Sequence, residues 1–218
     1  SRAPESAFVG LADDAGGWTL DLDATLAALR RANETPCPLV LLGTAFAFVH
    51  LVDALGDRKL NFTLPPGSRV METGGYKGRS RSLPKAELHA LITEKLGIPP
   101  SRIVCEYGMS ELSSQAYDGA LNGPQLASGP RENDSPPLPS LDRHFHFPPW
   151  ARAQVISPET GREVADGETG LIRVFDLANV WSVMAVQTED LGVRRGDGFE
   201  LLGRATRAEP RGCSLQAV

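Results

Sequence analysis

Between Leu39 and Cys105 short apolar runs alternate with longer amphipathic ones, and this alternation limits the possible folds more than any other feature of the chain. Leu39 to Leu42 reads as a buried strand, Ser68 to Met71 as a further apolar run, and Ile103 to Cys105 as a β-branched strand buried on both faces. The segments between them have helical spacing. One helix is expected from about Phe46 to Leu55. Another runs from Pro84 to Leu96, with Leu88, Leu91, Ile92 and Leu96 on one face and Gly97 just past its end. An earlier helix begins at Asp21, where Leu22, Leu26 and Leu29 recur before Arg30 and Arg31 close it. Strand, helix, strand, helix, strand requires an α/β fold with right-handed crossovers and a parallel sheet.

The second half of the chain is patterned differently. Between Asp118 and Asp142 the residues Gly119, Gly123, Pro124, Gly129, Pro130, Pro136, Pro137 and Pro139 interrupt any periodicity. We therefore expect a long loop or linker there. Short strands follow at Ala153 to Ile156, Leu171 to Phe175, Trp181 to Val186 and Phe199 to Leu202, with turns at Pro158-Glu159-Thr160-Gly161 and around Asp166-Gly167. The expected organisation is a parallel-sheet α/β subdomain over 1–118, a Pro/Gly-rich linker over 119–141, and a mostly antiparallel, β-barrel-like subdomain over 142–218.

Composition narrows the function classes. Among 218 residues, 22 Lys and Arg against 27 Asp and Glu give a net charge of −5, so the chain lacks an overall electrostatic footprint for nucleic acid. Local basic clusters at Lys77-Arg79-Arg81 and Arg204-Arg207-Arg211 are compatible with a small bound polyanion such as a nucleotide. Cys37, Cys105 and Cys213 are far apart and form no Cys-x-x-Cys pair, which indicates reduced thiols and a cytoplasmic location rather than disulfides or structural zinc. No signal peptide is visible. The apolar run Pro38 to Leu55 contains Gly43, Thr44, His50 and Asp53 and reads as strand plus core helix, not as a membrane span.

The densest chemistry lies in Arg102-Ile103-Val104-Cys105-Glu106-Tyr107-Gly108-Met109-Ser110-Glu111-Leu112. Gly108 gives the backbone freedom to turn sharply after the strand into a following helix, and such junctions are where open α/β sheets bind ligands. There Tyr107 can stack on a base, Ser110 can donate to a phosphate and Glu111 can hold Mg²⁺, or Tyr107 and Glu111 can simply cap a helix. Glu72-Thr73-Gly74-Gly75-Tyr76-Lys77-Gly78-Arg79 also follows a strand, and Gly74 and Gly75 allow close backbone approach to a flat or phosphorylated ligand. The segment matches neither the P-loop nor the dinucleotide fingerprint, and a plain tight loop is the alternative. Asp190, in Thr188-Glu189-Asp190-Leu191-Gly192, can accept both hydroxyls of a ribose or serve as a turn residue. Arg204 can reach the same sugar, a phosphate, or solvent. Cys213, beside Arg211 and Gly212, is a candidate acyl-accepting thiolate, whereas Cys105 reads as buried and inert and Cys37 as a loop thiol. His144 and His146 alternate as on a strand but lack a third metal ligand.

In order, Tyr107-Gly108-Met109-Ser110-Glu111, Gly167-Glu168-Thr169-Gly170-Leu171, Thr188-Glu189-Asp190 and Gly198-Phe199-Glu200-Leu201-Leu202-Gly203-Arg204 resemble the motifs of acyl-adenylate-forming enzymes. Within that superfamily, Glu72 to Arg79, Tyr107 to Asp118, Pro149-Trp150-Ala151-Arg152 and Arg211-Gly212-Cys213-Ser214-Leu215 resemble the acyl-protein synthetase (LuxE-type) family, in its C-terminal portion. The resemblance implies activation of a fatty acid with ATP as acyl-AMP, then transfer to a cysteine near the C-terminus, which supplies an acyl reductase or acyltransferase subunit. It implies that Tyr107 stacks on adenine beside Gly74 and Gly75, with Gly108 in the same turn and Ser110 on the phosphate. Glu111 would hold Mg²⁺, Asp190 the ribose hydroxyls, Arg204 the ribose or phosphate, and Cys213 the acyl group. Catalysis would thus rest on Cys213, Glu111 and Ser110. The Ser/Thr/Gly-rich phosphate loop of these enzymes is not in this sequence, and Ala205-Thr206-Arg207 stands where they carry a hinge aspartate. An acyl- or aryl-CoA ligase related to phenylacetate–CoA ligase and a non-catalytic nucleotide-binding module are the alternative readings.

Overall fold

The computed structural model describes residues 6–12, 18–76, 80–118 and 143–205. They form two compact units, the chain passing from one to the other between Ile103 and Val104, and each unit has its own apolar core. The expected linker 119–141 lies outside the described residues, as do Lys77 and Arg79 of one basic cluster, Arg207 and Arg211 of the other, and Cys213.

In the first unit a small hairpin, β1 (Gly10–Ala12) and β2 (Trp18–Leu20), leads into α1 (Leu22–Glu34). Asp21 starts that helix, its Oδ1 accepting from the Ala24 N–H at 2.9 Å. Strand β3 (Val40–Thr44) passes directly into α2 (Ala45–Asp57), and Thr44 serves both elements, because its Oγ1 accepts from the Ala47 N–H at 3.3 Å. Strand β4 (Arg69–Thr73) pairs with β3 in parallel, from Val40 opposite Arg69 to Thr44 opposite Thr73, as the alternation of strands and helices requires. Helix α3 (Lys85–Leu96) ends at Gly97, whose φ of 69° is left-handed and whose N–H reaches the Thr93 carbonyl. A side chain at Gly97 would also approach Thr63 Cα at 3.2 Å.

Leu29, Leu55, Val70, Leu88, Ile92 and Leu96 are almost fully buried in this core. Each contributes roughly 1.5–3 kcal/mol of transfer free energy. The sheet is not covered on both faces. Val40 is 58% and Leu42 66% exposed, while Leu39 and Leu41 pack against the core. The buried strand expected at 39–42 is therefore half-buried, because α1, α2 and α3 supply apolar side chains to one face only.

The second unit contains β5 (Ile103–Tyr107), β6 (Ala116–Asp118), β7 (Phe145–His146), β8 (Ala151–Ile156), β9 (Thr169–Asp176), β10 (Ala185–Arg195) and β11 (Gly198–Arg204). Their order is β5-β6-β7-β11-β10-β9-β8, and every pairing among them is antiparallel. The antiparallel expectation holds. The barrel-like expectation does not: among the described residues β8 is an edge strand paired with β9 alone, and no pairing closes the sheet. The strand expected over Trp181 to Val186 also moves. It begins at Ala185, because Asp176 and Met184 close the end of the β9–β10 pair by a backbone bond of 2.8 Å, and residues 177–183 form the connection. Trp181, at 99% exposure, sits on that connection. The core of this unit is aromatic and β-branched: Phe145 and Phe199 stack at 5.4 Å beside Val155, Ile172 and Val174.

Candidate active site

Three sequence-selected residues converge within the second unit. Tyr107, the last residue of β5, is 7% exposed, and its hydroxyl donates to Asp190 Oδ2 at 2.9 Å. Arg204, the last residue of β11, places Nε 3.4 Å from Asp190 Oδ1. These residues lie far apart in sequence and meet because β10 and β11 form a hairpin in which Asp190 is the cross-strand partner of Arg204. Two irregularities set that partnership. The β9–β10 register shifts between Gln187 and Leu191, and the β10–β11 register shifts between Leu191 and Gly192. Extra residues of this kind twist a strand and redirect its side chains, often next to active sites. Thr188, inside the shifted stretch, fixes it from both sides: its hydroxyl donates to the Ile172 carbonyl at 2.7 Å and accepts from the Asp190 N–H at 3.1 Å.

The Asp190 carboxylate is not saturated by these contacts. An ionised carboxylate offers about four lone-pair directions, and Tyr107 and Arg204 take one on each oxygen. The remaining directions can accept a pair of vicinal hydroxyls. Tyr107 is held neutral, since burial, chiefly, and the Asp190 charge raise its phenol far above the ordinary range. Its ring packs edge-on against Phe199 at 5.2 Å and Phe147 at 6.4 Å, and tilted against Phe145 at 5.9 Å. The aromatic group that the sequence marks as a stacking surface is thus a fixed wall whose hydroxyl orients the carboxylate.

Ser110 and Glu111 lie a few residues further along, on the loop between β5 and β6, and both are exposed. Ser110 Oγ donates to Glu111 Oε2 at 3.2 Å. No helix follows Gly108: the chain makes a turn at Ser110-Glu111 and enters β6 instead. Gly108 is not in the left-handed region, and a side chain there would meet the movable end of Glu106 and Gln115 Cγ. Its freedom is therefore one of space rather than of backbone angle. The helix-cap alternative for Tyr107 and Glu111 is removed by the absence of that helix. Asp176 and Asn179, which sequence inspection passed over, instead hold this loop in place. Asp176 accepts from the Ser113 N–H at 2.9 Å and the Ser114 N–H at 2.8 Å, and Asn179 Nδ2 donates to the Glu111 carbonyl at 2.8 Å.

In the first unit, Gly74 follows β4 with φ of 69°, a value that favours glycine, and Gly75 is exposed with open space where a side chain would stand. Glu72, just before them, is buried and paired with His89 Nε2 at 3.3 Å, so the strand end that carries the turn is fixed from inside. His144 and His146 lie 4.5 Å apart ring to ring, and among the described residues no cluster of three or more His, Cys, Asp or Glu side chains could hold a metal. The single exposed carboxylate of Glu111 fits Mg²⁺ only in the way that ion is bound in nucleotide enzymes, with substrate phosphates and water completing the shell. Among the described residues no helix is long and apolar enough to cross a membrane.

The family model for Acyl-protein synthetase, LuxE, matches residues 4–217. The chain belongs to that family. Two curated LuxE-type relatives are similar over most of this chain: the long-chain-fatty-acid–luciferin-component ligase of Aliivibrio fischeri, 22% identical across 90% of the chain, and that of Vibrio harveyi, 21% identical across 90%. In each case the chain spans 49% of the relative's length. The fold of this LuxE-family chain is similar to part of two larger solved structures. The structure of McyG A-PCP complexed with phenylalanyl-adenylate has a TM-score of 0.54 at 14% identity, covering 85% of this chain and 33% of that one. A long-chain-fatty-acid-CoA ligase (FadD1) from Archaeoglobus fulgidus has 0.52 at 16%, covering 83% and 37%.

Proposed function

We propose that this chain forms the nucleotide-holding part of a LuxE-type enzyme that activates a long-chain fatty acid with ATP and passes the acyl group to Cys213. The observation that carries the reading is the junction of Tyr107, Asp190 and Arg204 in a member of this family. Asp190 accepts the ribose hydroxyls, Tyr107 fixes that carboxylate and is the ring on which adenine stacks, and Arg204 sits beside that carboxylate to reach the sugar or a phosphate. Ser110 donates to the α-phosphate. Glu111 would hold Mg²⁺, which supplies charge neutralisation on the phosphates.

Chemically, a carboxylate oxygen of the fatty acid attacks the α-phosphorus, a new P–O bond forms and pyrophosphate leaves. The Cys213 thiolate then attacks the acyl carbonyl, so that a thioester forms and AMP leaves. Donors fixed before the reaction stabilise charge on the phosphate without reorganising. The thioester is then available to an acyl reductase or acyltransferase subunit.

The test uses the full-length protein with labelled fatty acid, ATP and Mg²⁺. A covalent label that withstands denaturation is expected on the wild type. In Cys213→Ala it is lost while acyl-AMP still forms. A label that survives the substitution excludes Cys213, and a product that forms only with coenzyme A replaces this reading with that of a CoA ligase.

A further inference from the structure

The loop that bears Ser110 and Glu111 has no regular structure of its own from Gly108 to Gln115, yet its bonds to the rest of the second unit are numerous. They come from one short stretch at the far end of β9. Asp176 is fully buried, and its two oxygens accept four bonds: Oδ2 from the Ser113 and Ser114 N–H groups at 2.9 and 2.8 Å, and Oδ1 from Ser114 Oγ at 2.9 Å and the Ala178 N–H at 3.0 Å. Asn179, 8% exposed, donates through Nδ2 to the Glu111 and Val183 carbonyls, both at 2.8 Å, while its Oδ1 accepts from Ser113 Oγ at 3.2 Å. Trp150 closes the group, Nε1 donating to Ser114 Oγ at 3.0 Å.

We propose that Asp176 and Asn179 are positioning residues that set the loop carrying Ser110 and Glu111, and so control how Glu111 meets a metal–nucleotide complex. The inference rests on the assignment of Glu111 and Ser110 made above. A buried carboxylate that accepts two consecutive backbone N–H groups fixes the peptide between Ser113 and Ser114 as an anion-binding turn would, but with the anion supplied by the protein. The Asn179 amide then fixes the carbonyl of Glu111 itself. With its backbone oxygen held, the Glu111 side chain has only its own torsions to search. Five of the bonded groups lie on the loop and none of these bonds reaches Asp190, so the clamp acts on one part of the site alone.

That separation gives the test its discrimination. Asn179→Asp changes little in shape but turns a donor that faces two carbonyl oxygens into an anion, and Asn179→Ala removes the donor altogether. In the full-length protein, adenosine binding without metal, which depends on Asp190 and involves no phosphate for Ser110 to contact, should stay within about twofold of wild type in both variants. The Mg²⁺ concentration that half-saturates ATP binding should rise about tenfold or more, in line with the loss when partners of metal-holding groups are removed. An equal loss of adenosine and Mg²⁺–ATP binding would reduce Asn179 to a general structural role and overturn the proposal.

Hydrogen exchange supplies a reading that needs no nucleotide. The Ser113 and Ser114 amides should exchange faster in Asp176→Asn, where an NH₂ group replaces one accepting oxygen, and the amides of the β10–β11 ladder should not. Unchanged protection at Ser113 and Ser114 contradicts the clamp even if binding is altered. A wild-type protein that binds no nucleotide would defeat the adenylation reading while the exchange result still decides whether Asp176 and Asn179 hold the loop.

Discussion

Asp190 is the residue on which the candidate site turns, and its surroundings are asymmetric. On one oxygen stands a buried neutral phenol, on the other a guanidinium whose side chain is 36% exposed. The exposed pair contributes little to stability by itself. The bond from Tyr107 is the stronger, because a hydrogen bond to a charged group is worth about 1.5–3 kcal/mol. Tyr107→Phe should lower stability at pH 7 by an amount near the low end of that range, measured by denaturant unfolding. It should also change the alkaline limb of the stability curve. The phenol is raised in the folded state, so its contribution is complete below the ordinary tyrosine value of about 10 and declines as pH rises above it, where the unfolded chain ionises and the folded chain does not. The stability difference between wild type and Tyr107→Phe should therefore shrink between pH 10 and 11, by about the same measure on heating or in denaturant. An unchanged difference over that interval means that the phenol ionises in the folded protein. Asp190 and Arg204 could both be marked in the sequence, but their contact could not. It depends on irregularities in two strand pairings that leave no periodic trace.

At the level of elements, the strands and helices of the first unit were legible because their signals are local: an apolar run, a helical stripe, a capping Asp21 and a terminal Gly97. The bare face of β3 was not, since Val40 and Leu42 look like core residues and only the placement of the helices exposes them. The sequence after Gly108 reads as the start of a helix, and the structure makes it a loop to Gln115, for a related reason. Its conformation is imposed by Asp176, whose nearest loop partner is 62 residues away, and no local preference records that. The second unit also relies on close packing between strands that sequence does not reveal. A side chain at Gly170 would stand 2.5 Å from the Ile156 carbonyl oxygen and 2.8 Å from its carbon, both backbone atoms of the paired strand β8. Gly170→Ala should consequently destabilise the protein by about 1–3 kcal/mol, as overpacking does. Urea unfolding checks it, and a midpoint equal to that of wild type would show that β8 can move aside at no cost.

For the molecule as a whole, the chain belongs to the LuxE family, and its fold is similar to part of a phenylalanyl-adenylate complex and of a long-chain-fatty-acid-CoA ligase. The motif order made this readable in advance, because four short segments in one sequence restrict the family even where each alone is ambiguous. The acyl acceptor is a different matter: Cys213 lies outside the described residues, and its role rests on the family resemblance of its flanking sequence. The central claim is that Asp190 anchors the nucleotide on which an acid is activated. Fatty-acid-dependent exchange of pyrophosphate into ATP by the full-length protein measures that step directly, before any transfer to a thiol. The account predicts exchange in the wild type and in Cys213→Ala, and a fall of at least about tenfold in Asp190→Ala, equivalent to the loss of about 1.4 kcal/mol of transition-state stabilisation. Exchange that is absent from the wild type, or that persists undiminished without the Asp190 carboxylate, would contradict it.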